Sequence, residues 1–245
     1  MFTSYLRAVK AESLKLKRSP VWLAFFALPM ISAFFGTMNY KMNLGVLKSE
    51  WYSLWSQHSL FLCYFFMPAL IGTYCSYLWR LEHTRHNWNS FLTAPLPLSS
   101  LYLGKLTQAI RVSLLGNLWI FALFFICGKL AGIQSPFPQE ALEWFLCGTV
   151  GAVVVCCVQL LLSLIIRSFA IPIGIALAGG ILGLYMTNHD YGMNYPYSIY
   201  CLGMRANNPN MEISISTLAV NSLGYIIVFA ALSVFYLRRH EIAAN

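Results

Sequence analysis

The stretch WFLCGTVGAVVVCCVQLLLSLII, residues 144–166, contains 23 successive residues without a charge. An α-helix needs about 20 apolar residues to cross the hydrocarbon core of a bilayer, and it satisfies its own backbone hydrogen bonds there. The stretch therefore predicts a membrane-spanning helix. It also decides the fold class of the chain, which we expect to be an all-α integral membrane protein.

Five further intervals between charged residues have the same character. In chain order the six intervals contain 22, 29, 17, 23, 22 and 25 uncharged residues. The composition agrees, because 58% of the residues are hydrophobic and only 10% are charged, against about a quarter in a soluble domain. We expect one transmembrane domain, residues 1–245, with spans near 20–39, 58–79, 108–128, 144–166, 169–187 and 214–236.

The basic residues predict the orientation of these spans. With the N-terminus inside, twelve of the 16 Lys and Arg residues, but three of the eight acidic residues, fall on the inner side. Inner loops are enriched in Lys and Arg, so both termini are expected in the cytoplasm. The net charge of +8 is then an orientation signal near anionic lipid and does not indicate nucleic-acid binding.

The first twenty residues have helical periodicity of their own. Apolar and small residues recur on one face, namely Phe2, Tyr5, Leu6, Val9, Ser13 and Leu16. Basic residues take the other side, namely Arg7, Lys10, Lys17 and Arg18. This pattern predicts an amphipathic helix lying on the inner leaflet. The alternative is a cluster of positive charge that only sets the topology.

The predicted spans contain no carboxylate side chain. Transporters driven by proton or sodium gradients usually carry carboxylates inside their helices, so an ion-driven mechanism is not indicated. Four polar residues in the spans are expected to form hydrogen bonds between helices instead. These residues are Asn117, Gln159, Ser163 and Asn221.

The largest inner feature is the segment 80–105, RLEHTRHNWNSFLTAPLPLSSLYLGK. The second span can continue as a helix beyond the membrane until Pro95 and Pro97 end it. Its predicted exposed face mixes charge and aromatic surface, which is typical of a protein contact. That face contains Glu82, His86, Asn87, Trp88 and Phe91. Glu82 is expected to contact a basic group, either on a soluble partner or on the N-terminal helix.

The outer segment 188–213 is rich in tyrosine and methionine. We interpret Tyr191, Tyr195, Tyr197 and Met204 as a surface that contacts an amphipathic peptide or a lipid-linked molecule in the outer leaflet. The alternative is an aromatic belt at the interface, where tyrosine side chains are common.

Three stretches together resemble the permease subunits of type-2 ABC exporters, and most of all the lantibiotic-immunity group. They are AESLKLKRSP (11–20), LWSQHSLFLCYFFMPALIGTYCSYLWRLEHTRHNWNSFLTAPLPLSSLYLGK (54–105) and YPYSIYCLGMRANNP (195–209). The resemblance implies a six-helix half-transporter whose segment 80–105 docks onto a separate ATPase. Its pattern E…NW…P implies Glu82, Asn87, Trp88 and Pro95 as coupling residues, and we expect Arg85 and His86 of the same segment to share this role.

The resemblance also implies the partners and the location of the protein. It implies two copies of an ABC ATPase, a second permease that is identical or related, and a bacterial plasma membrane. The chain contains no GxxxxGK[ST] phosphate loop, so ATP and magnesium are expected on the partner subunit. The expected cargo is a membrane-associated antimicrobial peptide such as a lantibiotic. A bacitracin-type or other lipid-linked substrate is the alternative.

Three other interpretations remain open on the sequence. An intramembrane enzyme has little support because the chain lacks the GxSxG and HExxH motifs, although His189 lies beside Asp190 and could be catalytic. His83 and His86 are spaced like a zinc pair, but further ligands are missing. An assembly factor without transport activity would have the same topology.

Overall fold

The protein is described by a computed structural model over residues 2–84 and 96–244. Its helices are α1 (Phe2–Leu16), α2 (Val21–Met42), α3 (Glu50–Phe61), α4 (Met67–His83), α5 (Leu98–Leu130), α6 (Ala141–Ile165), α7 (Ala170–Asn188), α8 (Pro196–Gly203) and α9 (Ile215–Ala244). A π-helical turn, Leu62–Phe66, joins α3 to α4, and a 3₁₀ turn, Gly192–Asn194, precedes α8. The described residues contain no β-strand, which confirms the all-α class.

In the part of the chain that the structure describes, six helices are long and apolar enough to cross a membrane, and this number confirms the prediction from the uncharged intervals. They comprise α2, the continuous helix Glu50–Arg80, α5, α6, α7 and the part of α9 from Ile215 to Arg239. Two of them extend beyond the predicted spans, because α3 begins at Glu50 and α5 begins at Leu98. The additional turns of both helices are packed on protein, since Trp51 and Trp55 of α3 and Leu101 and Tyr102 of α5 are buried.

The continuous helix α3–α4 and helix α6 form the centre of the bundle. In the most apolar window of each, 67% of the residues are buried, against 17% in α9 and 28% in α7. Four tryptophans are fully enclosed at the centre, namely Trp51, Trp55, Trp79 and Trp144. The peripheral helices expose large aliphatic side chains such as Val220 and Ile171. Such faces are expected where a helix meets lipid or another membrane protein.

Helix α8 folds back against the bundle beside α6. Close approach is possible because glycines replace side chains at the contact: a Cβ on Gly151 would lie 2.5 Å from the Cα of Tyr200. A Cβ on Gly203 would lie equally close, 2.5 Å from the backbone oxygen of Cys147. Small residues allow this kind of backbone contact between membrane helices. The residues of α8 are therefore core residues of the bundle.

The π-turn in the second span has an identifiable cause. Proline has no backbone N–H, so Pro68 cannot donate to the carbonyl of Tyr64 four residues earlier. The N–H of Met67 bonds instead to the carbonyl of Leu62, five residues back. Helix α7 approaches here, since a Cβ on Gly180 would lie 2.5 Å from the Tyr64 oxygen.

The polar residues in the spans form the predicted hydrogen bonds between elements. Asn117 bonds to Thr149 and Tyr200, Gln159 to Tyr197, Ser163 to Ser76, and Asn221 to the backbone oxygen of Met193. Each bond joins residues at least 28 positions apart, so it fixes the packing of one helix against another. This prediction is confirmed.

Candidate functional site

Helix α1 docks on the first turns of α5. A Cβ on Gly104 would lie only 3.0 Å from the Cβ of Ala8, so the missing side chain lets the two helices touch. The hydroxyl of Tyr5 lies 2.8 Å from the hydroxyl of Thr107, which adds a polar contact to this interface. The N-terminal helix is therefore packed on protein along one side and does not rest on lipid alone.

A cluster of four charged residues lies where α1, α4 and α5 meet. We refer to Glu12 and Lys15 of α1, Glu82 of α4 and Lys105 of α5 as the ion-pair cluster. The Lys15 Nζ lies 2.6 Å from Oε1 of both Glu12 and Glu82. The Lys105 Nζ lies 3.1 Å from Glu12 Oε1 and 2.8 Å from Glu82 Oε1. Each lysine thus bridges both carboxylates, and the cluster is electrically neutral.

The cluster is enclosed by protein. The side chain of Lys105 is 0% exposed, and those of Glu82, Glu12 and Lys15 are 4%, 6% and 21% exposed. Lys105 also donates to the backbone oxygen of Leu78 at 2.6 Å, and its ammonium lies 4.5 Å from the ring centroid of Trp79. Buried charges are tolerated only when they are paired and hydrogen-bonded in this way.

Burial and the neighbouring opposite charges have opposite effects on the pKa values of Glu82 and Lys15. Burial alone would raise the pKa of Glu82, but the ammonium groups of Lys105 and Lys15 outweigh it and lower that pKa to about 2. Burial alone would lower the pKa of Lys15, but Glu12 and Glu82 outweigh it and raise that pKa above its usual value. Both groups are therefore charged at neutral pH, as the contacts require.

The structure corrects the interpretation of Glu82 as part of an exposed face. Glu82 is buried because α1 lies across the end of α4 and covers it. Its contact with Lys15 is the predicted contact with the N-terminal helix. Of the other predicted coupling residues, Arg85, His86, Asn87, Trp88 and Pro95 lie outside the described residues, as does Phe91.

The sequence interpretation did not identify Glu12, Lys15 and Lys105 as partners of Glu82. One signal was present, because Glu12 lies four residues after Ala8 and four before Leu16, on the buried face of α1. The predicted apolar face was partly wrong, since Leu6 is 48% exposed. Arg7, Lys10, Lys17 and Arg18 are exposed, as expected for the polar face.

The end of α4 also contacts the last turn of α6 and the loop that follows it. The Nε2 of His83 lies 2.7 Å from the backbone oxygen of Ser163, and the Arg80 guanidinium lies 5.6 Å from the ring centroid of Phe169. Across residues 2–84 and 96–244, no group of three or more His, Cys, Asp or Glu side chains is arranged to hold a metal ion. The second histidine of the predicted zinc pair, His86, lies outside those ranges.

At the opposite end of the bundle, the predicted tyrosine and methionine surface is only partly present. Tyr191 is 61% exposed and Tyr195 is half-buried. Tyr197 and Met204 are buried, so their interpretation as an exposed surface is wrong. The cause is the inward fold of α8: the Tyr197 hydroxyl accepts from Gln159, and the Met204 carbonyl accepts from Trp55. His189 contacts the Tyr185 backbone oxygen and stacks on the Tyr185 ring.

An apolar groove of about 650 Å³ lies between α6 and α9. Leu142, Leu146, Val150 and Ile215 line it and are exposed. Two carboxylates lie at its end, at the start of α6: Glu140, which accepts from the Tyr52 hydroxyl at 2.8 Å, and Glu143, which pairs with Arg205. The groove, hereafter the α6–α9 groove, was not predicted from the sequence because its walls are 65 or more residues apart in the chain.

Comparison with known families matches most of the chain. A family model described as "ABC-2 family transporter protein" matches residues 8–183. The match includes all four residues of the ion-pair cluster and ends within α7. None of the curated proteins matches the chain.

Proposed function

The chain belongs to the ABC-2 family of transporter proteins, as a permease subunit, and we propose that it expels a membrane-associated antimicrobial peptide from the bilayer. The family match implies an ABC ATPase partner in a membrane complex. The peptide cargo is our proposal, and the α6–α9 groove is the observation that carries it.

The ion-pair cluster supports a role for the segment 80–105 in energy input. Glu82 lies near the end of α4, and Lys105 lies near the start of α5, so the two residues mark the two ends of this segment. The two ends of the segment are thus held together by the 2.8 Å contact between the Lys105 Nζ and the Glu82 Oε1. Lys15 of α1 contacts the same carboxylate oxygen. A displacement of the segment by an ATPase would move α1, α4 and α5 as one unit. Interfaces with discrete packings can convert such a push into helix rearrangement.

ATP and magnesium are proposed to bind to the ATPase and not to this chain, which lacks a phosphate loop. Two ATPase copies and two permeases, identical or related, would complete the transporter. Both termini, and with them the ion-pair cluster, are proposed to face the cytoplasm of a bacterial cell, in line with the distribution of Lys and Arg.

The α6–α9 groove supports a cationic amphipathic peptide as cargo. Its aliphatic walls suit the apolar side of such a peptide, and the carboxylate of Glu140, which forms no ion pair among the described residues, suits its basic groups. An anionic lipid-linked substrate would be repelled by this carboxylate. The charges therefore favour a lantibiotic-like peptide over the bacitracin-type alternative, whereas the walls alone favour neither.

The function is tested in the native host by deleting the gene and restoring it. We expect deletion to increase sensitivity to a cationic lantibiotic several-fold, restoration to reverse the change, and sensitivity to bacitracin to stay constant. A change for bacitracin alone would replace the cargo assignment by the lipid-linked alternative. No change for either antibiotic would refute the peptide-expulsion proposal while leaving the permease family in place.

A further inference from the structure

A second pocket, of about 350 Å³, lies between α1, α2 and α5 on the same end of the bundle as the ion-pair cluster. Its polar side contains Lys17, which follows α1, and Arg111 of α5. Its apolar side includes Leu14, Leu115 and the half-buried Trp22. Neither the family match nor the proposed function assigns a role to this pocket.

Within residues 2–84 and 96–244, the two cations have no carboxylate partner. Among the described residues, neither Lys17 nor Arg111 forms an ion pair, whereas Lys15 and Lys105 nearby are both fully paired. Both side chains are exposed, so their charges are available to a ligand. A lysine just after α1 and an arginine of α5 that line one pocket form a site for an anion, and arginine in particular matches the geometry of phosphate.

Two other polar groups of the pocket already have hydrogen-bond partners. The indole N–H of Trp22 donates to the backbone oxygen of Leu16 at 2.7 Å, and the Gln108 amide donates to the backbone oxygen of Val9 at 3.1 Å. These bonds fix the walls of the pocket and hold α1 against α2 and α5. A ligand would therefore be recognised mainly by the two positive charges and by the apolar side.

The position of the pocket identifies the kind of anion. Arg111 lies at the charged boundary of the 17-residue apolar interval of α5, where a helix enters the hydrocarbon. Trp22 is one of the first residues of α2, at the corresponding depth, and tryptophan is common at the level of lipid headgroups. A basic pocket between helices at this level, with aliphatic walls below it, fits a phospholipid better than a soluble anion.

We propose that this pocket binds the phosphate of an anionic phospholipid, with Lys17 and Arg111 holding the headgroup. The acyl chains lie along Leu14 and Leu115. The bound lipid bridges the end of α1 to α5, two residues from Lys15 of the ion-pair cluster. It acts as a further link that holds the N-terminal helix in its docked position. The inference is independent of the cargo proposed above.

The test uses the purified full-length chain and native mass spectrometry. The protein is titrated with phosphatidylglycerol, with phosphatidylethanolamine of the same acyl chains, and with inorganic phosphate. We expect half-saturation with phosphatidylglycerol at about tenfold lower concentration than with phosphatidylethanolamine. Inorganic phosphate is expected not to displace the bound lipid. Equal binding of the two lipids, or displacement by phosphate, would overturn the proposal.

Variants locate the site. K17Q/R111Q is expected to lose the tenfold preference, whereas R7Q/K10Q is expected to keep it. The control removes the same charge from exposed positions of α1 that do not line the pocket. R111K keeps the positive charge at this position, so any effect of that charge on folding is unchanged. We expect this variant to lose part of the preference for phosphatidylglycerol, because a lysine cannot bind phosphate through two parallel hydrogen bonds. An equal loss in the control, or an unchanged preference in both R111K and the double variant, would refute the pocket.

Discussion

Lys105 is the most constrained residue of the ion-pair cluster. Its ammonium contacts two carboxylates and a backbone oxygen, and its side chain has no exposed surface. The attraction among these groups offsets the cost of removing them from water only while every partner is present. Loss of one member leaves an uncompensated buried charge, so the energetic effect of a single substitution should exceed the net contribution of the whole cluster.

Single and double substitutions in the ion-pair cluster are therefore expected to differ in their effects on stability. Lys105→Met should lower the free energy of unfolding by about 3–5 kcal/mol, because two carboxylates then compete for Lys15 alone. Combining it with Glu82→Gln should restore part of the loss, since the net charge of the cluster returns to zero. Thermal unfolding in detergent measures both. Glu140→Gln, which alters an exposed carboxylate, is the control. A double variant less stable than Lys105→Met would contradict the charge-balance argument.

The pKa values of Glu82 and Lys15 predict the pH range of α1 docking. The pKa of Glu82 is depressed in the folded protein, so its contribution is complete above the unfolded value of 4.5 and is lost as pH falls towards 2. The pKa of Lys15 is raised, so its contribution is complete below 10.5 and is lost only at higher pH. Docking should therefore be constant between about pH 5 and 9.

The distance between spin labels on Leu14→Cys and Leu103→Cys, both exposed positions, reports this docking. We expect one narrow distance distribution from about pH 5 to 9 and a broader one below about pH 4. Broadening between pH 5 and 7 would show that a different titrating group controls the position of α1.

At the scale of elements, the close packing of α1 on α5 depends on one position without a side chain. Gly104→Leu would place side-chain atoms where Ala8 now lies, since even a Cβ would be 3.0 Å from the Ala8 Cβ. Overpacking of this kind costs about 1–3 kcal/mol, and here it can be relieved by undocking α1. We expect the variant to insert normally but to retain less of its ATPase on co-purification.

Gly174→Leu is the matched control for this prediction, because nothing lies within 4 Å of a Cβ at that position of α7. It adds the same side chain to a membrane helix without a steric conflict. If both variants retain the ATPase as well as the wild type, docking of α1 is not needed for the complex. If both lose it, the effect of Gly104→Leu has another cause.

The elements differ in how well the sequence predicts them. The spans were predictable because the cost of burying charge in lipid leaves long uncharged intervals in the chain. The inward fold of α8 was not predictable, because it depends on contacts with glycines of α6 that lie about 50 residues earlier in the chain. The same tyrosine pattern fits an interfacial belt and a buried helix. For the ion-pair cluster, the sequence predicted that Glu82 contacts a basic group. It did not predict the full set of partners, because these lie on three elements that meet only in the folded protein.

At the scale of the whole molecule, charged and apolar features separate along the bundle. The ion-pair cluster and the phospholipid pocket lie at the end that carries α1, and the carboxylates of the α6–α9 groove lie at the other. The central helices α3–α4 and α6 connect the ends, and one of them contains the π-turn. A push on the segment 80–105 could thus reach the groove through rigid helices, without contact between ATPase and cargo.

The groove charges provide a test of cargo recognition across this distance. Glu140→Gln together with Leu146→Gln should reduce protection against a cationic lantibiotic several-fold while leaving the ATPase bound, since both positions are far from the segment 80–105. Leu223→Gln, an equally polar change at an exposed site of α9 outside the groove, serves as the control. The inhibitory concentration measures protection. Unchanged protection in the groove variant would place cargo recognition elsewhere.

The proposed mechanism requires that the ion-pair cluster lie on the cytoplasmic side of the membrane and the carboxylates of the α6–α9 groove on the outer side. The six spans of the described residues are an even number, which puts α1 and the end of α9 on one side, and the excess of Lys and Arg predicts that this side faces the cytoplasm. In intact cells, a membrane-impermeant maleimide should therefore label Ser49→Cys and Asn208→Cys, which are exposed at the far end, and should miss Lys10→Cys. Labelling of Lys10→Cys only after permeabilisation shows that the thiol itself is reactive. Labelling of Lys10→Cys in intact cells would put the ion-pair cluster outside the cell, where no ATP-driven partner could reach it. That result would refute the coupling mechanism without contradicting the fold.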